Sequence, residues 1–191
     1  IMKLKRIISL TIACCILCGC IPLAFVAGAS IGGAIIYDKR SVNTIFIDHN
    51  IERHILKKIN SDPAFKGSHI DINTFNNIVL LVGQVQNDDL RTLANQIAMS
   101  EPKVRRVYNQ ITIGPVTSFW QRSKDSGITA MAKSALLAAR NLRSSQVSVI
   151  TEDNTIYLMG IVSPEQAKIA AKAASTVSGV QKVVKVFEYV R

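Results

Sequence analysis

The chain has 191 residues, of which 48% are hydrophobic and 19% charged, with 23 Lys and Arg against 13 Asp and Glu. That length fits one medium domain or two small ones, and the composition is too apolar for a disordered chain. The net charge of +10 permits nucleic acid or acidic membrane as a partner. In chain order, the first feature is an uncharged run of 31 residues between Arg6 and Asp38. It opens as a secretory signal does: Lys3, Lys5 and Arg6 precede an apolar stretch over residues 7–17, too short to span a bilayer as a helix.

Leu17-Cys18-Gly19-Cys20 then resembles the lipobox of bacterial lipoprotein precursors. In that motif small residues fit the peptidase, which cuts beside a Cys whose thiol carries a diacylglyceryl group. Residues 1–19 are therefore expected to be a signal peptide, Cys20 the lipid anchor, and residues 20–46 a tether. The rival is an uncleaved anchor helix, because the sequence stays apolar and small through Tyr37. Residue 21 is Ile rather than Asp, which by the sorting habit of enterobacterial lipoproteins implies the outer membrane. All four cysteines lie in the first 20 residues, so no thiolate zinc or redox site is available to the rest.

Beyond Tyr37 the chain is written twice. A shift of 77 residues aligns Asp48 with Asp125 and continues without a gap to Ala94 and Ala171. Matching pairs include Ile51/Ile128, Ile59/Leu136, Ile70/Val147, Ile72/Val149, Leu81/Leu158, Gly83/Gly160 and Val85/Val162. Each copy begins with an amphipathic helical pattern, Ile51, Ile55, Leu56 and Ile59 in the first and Ile128, Met131, Leu136 and Leu137 in the second. Asn60-Ser61-Asp62-Pro63 ends the first of these. Ile70-Asp-Ile72 and Val147-Ser-Val149 alternate as strands do. Asn76-Asn77 and Asp153-Asn154 suit hairpin turns. The second strands, Ile78–Val85 and Thr155–Val162, each hold a glycine, which marks a bulge or a close backbone approach.

A second helix follows at 87–99 in copy one, and in copy two after a Ser163 cap with Pro164 at the first helical position. Last strands are expected at 104–113 and 180–190. The strand–helix–strand crossover makes the last pairing parallel, so each copy is predicted to be an α+β module of order αββαβ, a mixed three-stranded sheet with two helices on one face. The copies span 47–115 and 123–191, joined by a linker at 116–122.

The element order, Val79-Leu-Leu-Val-Gly83, Ile156-Tyr-Leu-Met-Gly160 and Ser178-Gly179-Val180 resemble BON domains, and the chain from Cys20 onward is similar to outer-membrane lipoproteins that carry two of them. The resemblance implies a non-enzymatic, lipid-anchored protein facing the periplasm and supporting envelope integrity. It also implies that the first helix of copy two binds anionic phospholipid (phosphatidylglycerol or cardiolipin). The first copy would pack against the second or engage other envelope proteins. The runner-up is an adaptor that binds a protein of outer-membrane assembly.

The residues agree with a membrane reading without requiring it. Charge is unequal: residues 47–115 carry +1 and residues 122–191 carry +5. The pattern over 128–142 sets Lys133, Arg140 and Arg143 beside Ile128, Leu136 and Leu137, with Lys124 just before it. Such a helix suits an anionic interface, and equally an ordinary packed helix with a solvated basic face. In the related lipoproteins an aromatic residue near the start of this helix is expected to enter the bilayer; the matching position here is Gly127. Trp120, the sole Trp, stands in for it or packs between the copies.

Other chemistry finds little support. His49, His54 and His69 have no Cys partners and no helical i, i+4 pair, so no metal site is expected. No cofactor motif or catalytic triad is present. Nucleic acid is excluded as a partner by export and by the near-neutral first copy.

Overall fold

A computed structural model describes residues 40–190; Cys20 and the signal segment 1–19 lie outside them. Within that range each copy folds in the order expected. Copy one runs α1 (Val42–Ser61), β1 (His69–Phe75), β2 (Ile78–Val85), α2 (Asp88–Met99) and β3 (Arg106–Ile113). Copy two repeats it with α3 (Phe119–Ala138), β4 (Val147–Glu152), β5 (Thr155–Val162), α4 (Pro164–Ser175) and β6 (Lys182–Tyr189). In each sheet the middle strand pairs antiparallel with the first and parallel with the last. No helix among the described residues is long and apolar enough to cross a membrane.

Two helix starts differ from the sequence reading. Helix α1 begins at Val42, capped by Ser41, inside the expected tether. Helix α3 begins at Phe119, capped by Ser118, inside the expected linker. Apolar periodicity marks only the turns that bury a core residue, and both helices begin with a turn that buries none. Helix α3 also stops at Ala138 rather than Leu142; Asn141 then turns the chain with φ of 62°.

The duplication extends to the packing. Ile51, Ile55 and Ile59 of α1 are buried at four-residue spacing against Ile70, Ile72, Val79, Leu81 and Val85. Ile128, Ala132 and Leu136 of α3 do the same against Val147, Val149, Ile156, Leu158 and Val162. The buried carboxylate one turn ahead of each row has a structural task. Asp48 accepts hydrogen bonds from the amides of Asn76 (2.8 Å) and Asn77 (2.7 Å). Asp125 accepts from those of Asp153 (3.0 Å) and Asn154 (2.9 Å). All four turn residues have positive φ, as a two-residue type I′ hairpin demands, so each acid ties its first helix to its hairpin. The strand glycines are places of close approach: a Cβ on Gly83 would strike the carbonyl oxygen of His69, and one on Gly160 that of Gln146.

Strand β2 is buried along its whole length because both of its faces are covered. Val79, Leu81 and Val85 face the helices of their own copy, while Ile78, Leu80 and Val82 join Phe75, Tyr157, Met159 and Val186 in a third cluster between the two sheets. The copies thus pack sheet to sheet, each with its helices outward. Polar contacts fix the register: Asn73 with Ser148 (2.9 Å), Asn76 with Glu188 (2.6 Å), Arg105 with Glu188 (2.8 Å) and Gln84 with Glu152 (2.6 Å). Burial pushes the Glu188 carboxyl up, but the Asn76 amide and the Arg105 guanidinium outweigh it and hold the group below its ordinary range. Thr117 of the connection donates to the Gln84 side chain, so the linker is anchored at the junction. All three clusters lie within 47–187, and a fragment 38–191 therefore retains the whole described core.

Candidate membrane-binding site

Sheet-to-sheet packing leaves the outer faces of the helices to meet a partner, and α3 presents the most apolar one. Its inward row is Asp125, Ile128, Ala132 and Leu136. The helical period then places Trp120, Gly127, Met131 and Ala138 together on the outward side, with Phe119, Ala130 and Leu137 beside them. Trp120 is 80% exposed, Leu137 75% and Phe119 66%. The rings of Phe119 and Trp120 meet edge to face with centroids 5.9 Å apart, forming one aromatic projection on the first turn. The exposed face of α3 carries no acidic residue, since its single acid, Asp125, is buried in the hairpin tie.

The candidate residues of the sequence divide sharply here. Trp120, Lys124, Gly127, Lys133 and Leu137 all lie on exposed helix surface. Ile128 and Leu136 do not: each is 1% exposed, in the core of copy two, and neither is available to a lipid. The pattern Ile128, Leu136, Leu137 conceals that the two leucines point opposite ways, because neighbours on a helix differ by about 100°. Met131, expected in the core, is exposed, and so is Leu56 in copy one. Arg140 and Arg143 are exposed but follow the last helical residue, at the end where cations complement the helix dipole. Phe119 is a functional candidate that the sequence reading lacks, because its stretch has the look of a linker; its place beside Trp120 after a Ser cap is the signal that marks it.

Trp120 lies on the outer surface rather than between the copies, whose junction is filled by the third cluster. Gly127 leaves a gap in the outer stripe: a Cβ there meets nothing within 4 Å. Lys124 packs its aliphatic stem near Gly179, where a Cβ would lie 3.5 Å from its Cε. Lys124, Lys133 and Arg140 form no ion pair among the described residues.

Two repeats of an αββαβ module, fused through their sheets, define the class. The BON domain model matches residues 47–115 and 124–191, and the chain belongs to the BON-domain family. Over 187 residues it is 35% identical to the outer membrane lipoprotein DolP of Haemophilus influenzae, covering 97% of this chain and 96% of that one. It is also 36% identical over 155 residues to a 21 kDa hemolysin of Actinobacillus pleuropneumoniae, covering 81% and 80% of the two chains. A solved structure of CdsD, a structural protein of the Chlamydia trachomatis type III secretion system, aligns at a TM-score of 0.30 and 14% identity over 75% of this chain and 63% of that one.

Proposed function

We propose that this protein is an outer-membrane lipoprotein, anchored through Cys20 and facing the periplasm, whose second BON domain binds anionic phospholipid through the outer face of α3 and so supports envelope integrity. The observation that carries the reading is the face itself: Phe119, Trp120, Met131 and Leu137 exposed on one helix, flanked by Lys124 and Lys133, with no exposed acid among them. An interfacial helix needs this combination. Aliphatic and aromatic groups enter the headgroup boundary, while each cation near an anionic surface adds about 1 kcal/mol. The likeness to DolP supports the location.

The mechanism is two-signal attachment. A diacylglyceryl anchor holds the chain stably at a membrane, and a second, charge-sensitive contact decides which lipid region α3 meets. In this chain Trp120 and Phe119 on the first turn take the place of an aromatic at position 127. Co-sedimentation of fragment 38–191 with phosphatidylglycerol or cardiolipin vesicles, against phosphatidylcholine, tests the proposal. Binding to the anionic vesicles alone, weakened by physiological salt and abolished by Leu137→Glu, is the expected result. No binding to any vesicle sinks lipid recognition by α3 and turns the reading to a protein partner on the same face.

A further inference from the structure

The junction of the two copies gathers a second set of chemically capable groups. Strand alternation turns Ile70 and Ile72 toward the helices of copy one, and His69, Asp71, Asn73 and Phe75 toward copy two. Opposite His69 stands Glu152, at the end of β4. His69 Nε2 lies 3.8 Å from a carboxylate oxygen of Asp71 and 3.8 Å from Glu152 Oε2. One ligand atom from each of the three lies within 4.8 Å of the others. His69 Nε2 is enclosed and has no hydrogen-bond partner, an uncommon state for a buried ring nitrogen.

We infer that His69, Asp71 and Glu152 form a binding site for a divalent transition-metal ion, of which zinc is the best fit, and that the ion clamps the two BON domains together. One imidazole and two carboxylates are a three-ligand set of the kind zinc accepts, leaving a fourth position for water. Bond lengths of about 2.0–2.2 Å put tetrahedral ligand atoms about 3.4 Å apart, so the two 3.8 Å separations at His69 close by a few tenths of an ångström and the two carboxylates, within 4.8 Å of each other, must also draw together. Glu152 is held in place by Gln84 at 2.6 Å on its other oxygen, while half-exposed Asp71 has room to swing inward. The surroundings favour a cation. A cleft of about 240 Å³ beside the site is lined by Asp71, Asp125 and Glu152, with Arg122 as the opposing charge, its guanidinium held by the carbonyl of Thr117 at 2.8 Å. Calcium and magnesium prefer all-oxygen shells and are disfavoured by the imidazole.

The site is not duplicated, which separates it from the structural repeats. In copy two the position of His69 is Gln146 and that of Asp71 is Ser148, while in copy one the position of Glu152 is Phe75. Among the described residues, only this end of the junction has the ligand set.

Zinc titration of fragment 38–191, which lacks every cysteine of the chain and so removes competing thiols, is the test. Calorimetry is expected to give one zinc ion per chain. Thermal melting is expected to show a rise in Tm of about 5 °C or more at a hundredfold excess over Kd, with no effect of magnesium. Glu152→Gln, His69→Gln and the half-exposed Asp71→Asn should each abolish both signals while keeping the native circular dichroism spectrum. The paired substitution His49→Gln with His54→Gln should leave them intact. Absence of saturable binding, its persistence in His69→Gln, or its loss in the His49/His54 variant overturns the proposal.

Discussion

Copies one and two share a skeleton and differ on the faces that the skeleton leaves free. Along α1 the exposed positions include Asn50, Arg53, His54, Lys57 and Asn60; the equivalents on α3 are Gly127, Ala130, Met131, Ser134 and Leu137. The outer side of α1 also meets an acid of its own copy, since Lys58 and His54 lie 2.6 and 3.4 Å from Glu101. Apolar exposure in α1 is greatest in its first turns, at Val42 and Phe46. The inward rows, the acid that ties the hairpin and the strand glycine are retained in both copies. After duplication, then, the fold constrained one side of each first helix, and the other side diverged: polar and charged in copy one, apolar with flanking lysines in copy two.

The largest expected effect contrasts neighbours on α3. Leu136→Ala empties a core position and should destabilise fragment 38–191 by about 2–5 kcal/mol in urea unfolding. Leu137→Ala should change stability by no more than about 0.5 kcal/mol while weakening vesicle binding. Equal losses of stability at the two positions would erase the distinction between the inner and outer faces.

The paired acids come next. Asp125→Ala leaves two turn amides without their acceptor and should cost about 2 kcal/mol. Asp48→Ala should cost more, because the third donor to Asp48 is the charged Arg40 guanidinium at 2.8 Å, whereas that to Asp125 is the neutral Gln121 amide at 3.0 Å. The same urea series reads both, and a larger loss at Asp125 would contradict the assigned partners. The smallest effect is a gain: Gly127→Ala in an exposed helix interior, where the new methyl meets nothing, should stabilise by about 1 kcal/mol.

Much of this architecture is legible in the amino-acid sequence. The 77-residue repeat carries the module, its strand order and its parallel closing pair, because a crossover of that length allows little else. The limits are physical. Periodicity locates the apolar residues of α3 but cannot phase a helix whose first two turns bury no apolar side chain. It therefore groups Ile128 and Leu136 with Leu137, and it gives no sign of Phe119 or of the helical setting of Trp120. The junction is less visible still. Alternation shows that β1 has two faces, but not that its polar face meets the other copy. His69 therefore looks like an isolated surface histidine, although its partner Glu152 stands across the junction. A contact between repeats leaves no local pattern in either one.

The most direct test of the central claim uses the only tryptophan the chain has. Trp120 is 80% exposed on the outer face of α3, so its emission in fragment 38–191 should start near that of a solvated indole. Adding phosphatidylglycerol vesicles should shift the emission to the blue and protect it from an aqueous quencher, and phosphatidylcholine vesicles should do neither. Co-sedimentation with phosphatidylglycerol while Trp120 stays fully quenchable would contradict the claim, since the membrane would then be meeting some other face.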